Sequence, residues 1–144
     1  MLGASEVMAL WESLRRPLLL GLPPLAVAEP WSEERIMLAL NAGNLVAWIY
    51  REGQRVLAVL TTTLTGDVIT GSRALLLYSA HSEESLAMSD WRAMFGALTL
   101  YGKQCGIATL VAYSSVPRIL EVVELLGGRF EQRLCVLPLE PQHG

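Results

Sequence analysis

The sequence predicts a mixed α/β domain built on an antiparallel hairpin and a parallel strand pair, and three observations predict it. Residues 45–51 and 55–63 are rich in strand formers and flank Glu52-Gly53-Gln54, a short loop whose glycine readily takes positive φ. Residues 74–80 and 107–113 are apolar with little polar alternation, the pattern of strands covered on both faces. Between and after them run two segments of helical periodicity, 88–104 and 116–126. Strand, helix, strand in that order makes a parallel pair.

From the N-terminus, Ser5 is placed to cap a helix running to about Arg16, with Val7, Trp11 and Leu14 on one face. Pro17 disfavours helical geometry at Arg16 and is expected to end or kink that helix. Residues 18–30 then form an apolar, proline-rich connector expected to pack against the body. Ser32 starts a second helix as its cap, and Glu33 and Glu34 follow where the helix dipole favours acids. Ile36, Met37 and Leu40 form its buried face, and residues 41–44 close it around Gly43.

After the hairpin, residues 64–72 contain Gly66, Asp67 and Gly71 and read as a longer turn or a short irregular strand. In 88–104, Trp91, Met94, Phe95, Leu98 and Tyr101 fall on one stripe, which is a core pattern. Ser115 caps the following helix, Pro117 fits its first turn, and Gly127-Gly128 ends it. Residues 129–139 read as a last strand and 140–144 as a polar tail. No repeat or boundary divides the 144 residues, so one domain over 1–144 is expected, with 1–30 as its N-terminal helix and connector.

Composition narrows the function classes. A hydrophobic share of 52% with a mean hydropathy of +0.38 excludes disorder and requires thorough burial or a covered face. A net charge of −3 and a pI near 5.4, with Arg15-Arg16 the one adjacent basic pair, argue against a nucleic-acid partner. Cys105 and Cys135 are too few for a disulfide scaffold and are expected to be buried thiols in a reducing cytoplasm. No C-x-x-C or His-Cys cluster suggests a metal. The apolar stretch 17–28 falls short of the ~20 residues that span a bilayer and is broken by Pro17, Pro23 and Pro24, so no membrane association is expected. The two acids ahead of it, Glu6 and Glu12, are unlike the short basic start of a secretory leader.

The order helix, helix, hairpin, central strand, helix, strand, helix, strand resembles the GNAT (GCN5-related) N-acetyltransferase fold over about Trp31 to Leu139. The run from Ser115 to Phe130, ending Leu125-Leu126-Gly127-Gly128-Arg129-Phe130, is similar to that family's terminal helix and its Leu-Gly-Phe ending. The resemblance implies a mixed, mostly antiparallel central sheet flanked by helices. It also implies that strands 74–80 and 107–113 splay into a V that holds the pantetheine arm of acetyl-CoA.

Two departures qualify that implication. The family's pyrophosphate loop has the form Arg/Gln-x-x-Gly-x-Gly/Ala, so that backbone N–H groups at a helix start reach the phosphates. Here the stretch from His81 to Asp90 has no glycine, arginine or lysine, and it carries Glu83, Glu84 and Asp90. Each acid about 5 Å from a phosphate charge costs on the order of 1 kcal/mol even in a water-like dielectric. At the position of the family's general-acid tyrosine the chain has Val123, which transfers no proton.

The expected role is therefore that of a GNAT-like domain with a degraded acyl-CoA loop, serving as a structural or protein-interaction subunit without a bound cofactor. The alternative is an acetyl-CoA-dependent N-acyltransferase with an atypical loop. In that case Leu77, Tyr78, Ser79, Ser85 and Leu86 would line the cofactor. His81, at the carboxyl end of the central strand, or Tyr113 would relay the proton. In size and layout the chain is similar to small GNAT-like internal virion proteins of phages, which implies a virion as the alternative to the cytoplasm. Protein partners or self-association are expected, through the apolar stretch 18–27 and exposed aromatics among Trp11, Trp31, Trp48 and Trp91. The threonines at 61, 62, 63 and 65 read as a half-exposed strand edge able to pair with a partner strand.

Overall fold

A computed structural model describes residues 1–20, 32–66, 68–82, 85–112 and 117–128. The described sheet has four strands in the order β1-β2-β3-β4: β1 (Val46–Glu52), β2 (Arg55–Gly66), β3 (Arg73–Ser82) and β4 (Leu110–Ala112). β1 to β3 are antiparallel neighbours, and β4 runs parallel to β3. One face carries α1 (Ala4–Ala9), α2 (Trp11–Leu20) and α3 (Ser32–Ala42). The other carries α4 (Met88–Gln104) and α5 (Pro117–Leu125).

β2 explains the two-sided core. Ala58 and Leu60 join the layer of Trp91, Phe95 and Leu98, while Val59 joins the layer of Leu14, Leu18 and Ile36. The stripe foreseen on α4 is in place, with Trp91, Met94, Phe95 and Leu98 buried and Tyr101 packed beside them. β3 has no exposed residue between Ala74 and Ser82, as expected of a strand covered on both faces.

The N-terminal expectations need correction. α1 is capped from Gly3, whose N–H donates to Glu6 Oε1 at 3.2 Å, and Ser5 lies inside the helix. The chain breaks at Leu10, whose carbonyl then receives the N–H of Leu14 at 3.0 Å and starts α2. Pro17 does not end that helix. α2 runs on to Leu20, because Leu14 and Leu18, one turn apart on one face, are 0% and 2% exposed and hold the segment to the core. α2 is tied to α3 by Glu33, which accepts from Trp11 Nε1 at 3.3 Å and from Arg15 at 3.1 Å.

Four further expectations change. Thr61 and Thr62 are 1% and 0% exposed because β2 is an interior strand there, so these two threonines are no partner edge. Thr62 accepts from Trp48 Nε1 at 2.9 Å, and Thr61 and Ser79 share a short hydroxyl hydrogen bond. β2 continues to Gly66, taking three residues from the anticipated turn. The described part of β4 starts at Leu110 rather than at residue 107, because Ile107 N–H bonds back to Gly102 at 2.8 Å instead of entering the ladder, and Val111 is exposed. Cys105 is exposed at the C-cap of α4.

α5 ends as the glycine pair requires. Gly128 N–H donates to the Val123 carbonyl at 2.8 Å and Gly127 N–H to the Glu124 carbonyl at 3.0 Å, with Gly127 at φ +86. That is the Schellman closure. Trp31, Glu83, Glu84, Tyr113, Ser115 and Cys135 lie outside the described residues, as do the expected connector 21–30, strand 129–139 and tail 140–144. Among the described residues no helix is long and apolar enough to cross a membrane, and no cluster of His, Cys, Asp or Glu is suited to a metal.

Candidate functional site

The site is built on β3. Among the described residues its ladder with β4 has three rungs, Leu75↔Leu110, Leu76↔Val111 and Leu77↔Ala112, and β3 continues to Ser82. On its other side β3 stays paired with β2, through Ser79↔Thr61, Ala80↔Leu60, His81↔Val59 and Ser82↔Ala58. Since Thr61 faces Ser79 and Thr62 faces Leu77, Tyr78 is the extra residue of a β-bulge. A bulge kinks its strand and increases its twist, and this one falls on the residue just past the last described rung to β4.

Side chains at the bulge are already committed to the interior. Leu77 is 4% exposed in the layer of α4 and α5, and Tyr78 packs against the α1–α3 layer. Ser79 is 6% exposed and bonded to Thr61. Ser85 is exposed, and Leu86 is buried in the layer of α4.

His81 is placed elsewhere. With Glu12, Ser13, Arg16 and Pro17 of α2 it lines a recess of about 210 Å³ over residues 56–59 of β2. The structure brings His81 to α2, a grouping that nothing in the local sequence announces.

At the start of α4 one carboxylate does two things. Asp90 Oδ2 accepts the N–H of the N-cap Ala87 at 3.1 Å, and Asp90 Oδ1 accepts the Tyr50 hydroxyl at 2.7 Å. The hydrogen bond to Asp90, then burial and the Asp90 charge, push the Tyr50 hydroxyl above its ordinary pKa of 10.0. Asp90 thus sits in the first turn of α4, where the positive end of the helix dipole favours an anion. Tyr50, 40 residues away in the chain, is brought to Asp90 by packing that no local signal announces. Two residues before it on β1, Trp48 meets Tyr101 of α4 edge-on, with ring centroids 5.2 Å apart.

No protein-family profile matches the sequence, and no curated protein matches it. Solved structures do. A "probable acetyltransferase" superposes with a TM-score of 0.71 at 13% identity, over 98% of this chain and 97% of that one. The fold is GNAT-like. An acetyltransferase from Clostridium acetobutylicum, solved with acetyl-CoA, gives 0.68 at 16% identity over 92% and 90% of the two chains. An aminoglycoside acetyltransferase from an uncultured soil metagenomic sample, in complex with sisomicin, gives 0.69 at 8% identity over 98% and 93%. At such identities the likeness concerns the fold, and the GNAT-like chain's activity has to be argued from its own residues.

Proposed function

We propose that this GNAT-like domain works by binding rather than by acyl transfer, as a structural or protein-interaction subunit in which the nucleotide anchor of acyl-CoA has been lost. One observation carries this reading: the start of α4 is served by the chain's own anion, with Asp90 bonded to Ala87 N–H and to Tyr50. A pyrophosphate seeks the same first-turn N–H groups and the same dipole. Glu83 and Glu84 precede it in the chain with no arginine or lysine between His81 and Asp90. The residues present do not fit the diphosphate part of the cofactor, and no catalytic step is assigned through it. The similarity of size and layout to internal virion proteins makes a phage particle the setting in which we would look for a partner.

A second reading, an N-acyltransferase with an atypical loop, is favoured by the bulge at Tyr78, which would turn β3 away from its parallel neighbour and offer backbone to a pantetheine-like chain, and by the recess beside His81. Thermal shift with acetyl-CoA separates the two when run on the wild type and on the Glu83→Gln, Glu84→Gln, Asp90→Asn triple variant. The first reading expects no shift for the wild type and a gained shift for the variant, whose three removed charges each opposed a phosphate by about 1 kcal/mol. A saturable wild-type shift together with acetyl transfer to an amine would establish the second.

A further inference from the structure

The β2–β3 hairpin reaches past the rest of the sheet. The last partner β1 offers is Val46 to Thr62, and β4 begins only at Leu75, yet β2 and β3 go on pairing through Thr65↔Ala74 and Gly66↔Arg73. At roughly 3.3 Å per residue, this arm and its turn carry Val68 and Ile69 some 10–15 Å beyond the body. The two side chains are 96% and 89% exposed, and Leu64 on the arm is 42% exposed. Scattered apolar residues are ordinary on a surface, but two neighbouring β-branched ones at an extended tip are not. The turn does not need them. Gly71 at φ +71 and the Thr70–Ser72 hydroxyl bond of 2.8 Å supply its geometry.

An apolar recess of about 350 Å³ opens at the same end of the molecule, between Thr99, Gly102 and Lys103 of α4 and the segment from Gly106 to Leu110. Thr109 in its wall accepts the N–H of Leu75 at 2.9 Å, so the recess stands beside the base of the arm. The arm's own direction carries its tip away from that recess. A second copy, turned about a two-fold axis, has the opposite sense.

We propose that this chain self-associates by exchanging arms, the Val68–Ile69 tip of each copy seated in the α4–β4 recess of the other. The size matches: an apolar cavity of about 150 Å³ holds a six-carbon ligand, so about 350 Å³ takes the side chains of valine and isoleucine together. A tip and a recess on each copy at one end make the contact reciprocal and closed, the arrangement that yields a dimer and not a fibre. Of the expected contact stretch 18–27, Leu18 belongs to the core, Leu20 is exposed, and residues 21–27 lie outside the described residues. The inference stands whether or not the domain binds acyl-CoA.

Sedimentation velocity on the purified chain, from micromolar to near-millimolar concentration, tests it. The wild type is expected to dimerise, and the Val68→Ser, Ile69→Ser variant to raise Kd by roughly a hundredfold or more with an unchanged melting midpoint. Ala108→Trp, which fills the recess from an exposed position, is expected to have the same effect. In a Cys105→Ser, Cys135→Ser background, mixing Ile69→Cys protein with Ala108→Cys protein should give the intermolecular disulfide that neither gives alone. A wild type that stays monomeric, a dimer that survives both variants, or Ile69→Cys protein that cross-links to itself as readily would overturn the proposal.

Discussion

The hydroxyl pair of Thr61 and Ser79 joins β2 to β3 beside the Tyr78 bulge, and removing one partner should cost more than removing both. Thr61 is 1% exposed and Ser79 6%, and their oxygens share a short hydrogen bond beside the Tyr78 bulge. Thr61→Val is nearly isosteric, so little packing is lost, but the Ser79 hydroxyl is left buried without that bond. An orphaned buried polar group costs about 1–3 kcal/mol. Ser79→Ala orphans Thr61 in the same way and should fall in the same range. The double variant buries two apolar groups of similar shape and should return to within about 0.5 kcal/mol of the wild type. Urea unfolding of the four proteins measures this directly, provided the m-values agree. For a domain of this size the single variants should melt about 2–12 °C lower. A neutral Thr61→Val, or a double variant as costly as the two singles together, would refute the assignment of this pair as a mutually satisfied contact.

Other consequences follow from named contacts. Leu18→Ala should destabilise by about 2–5 kcal/mol in the same assay, because Leu18 is 2% exposed between α2 and its neighbours. Gly128→Ala should cost on the order of 1–3 kcal/mol, since its Cβ would stand 2.5 Å from Val123 Cγ1 and 2.9 Å from the Val123 oxygen. The raised pKa of Tyr50 gives a pH dependence of definite sign. Stability from the Tyr50–Asp90 bond is fully present below pH 10.0 and is lost as pH rises through the higher folded value. Alkaline melting curves of the wild type should therefore fall towards those of Tyr50→Phe, and parallel curves across that range would contradict the contact.

Most of the architecture was legible because its signals are local. Trp91, Met94, Phe95 and Leu98 repeat at the helical period, Gly53 and Gly43 sit where the chain reverses, and Gly127-Gly128 closes α5 as read. The errors came where tertiary packing overrides a local rule. Pro17 stays inside α2 because Leu18 is pulled into the core, and Thr61 and Thr62 are buried because β2 lies between two other strands. The candidate site was legible only in part. Acidity before α4, including Asp90, was visible as a string of letters. That Tyr50 pairs with Asp90, or that His81 faces α2, depends on contacts between residues far apart in the chain. The Tyr78 bulge depends on strand register, which no single strand's sequence specifies.

The central claim is that the start of α4 is closed to a nucleotide diphosphate by the chain's own carboxylates. Calorimetric titration of the wild-type protein with acetyl-CoA and with CoA at low salt tests it most directly. Low ionic strength leaves both attraction and repulsion least screened. The account predicts no saturable heat with either ligand up to the millimolar range. Binding in the micromolar range, weakened equally for acetyl-CoA and CoA by added salt, would contradict it by showing that the diphosphate is held despite Asp90, Glu83 and Glu84.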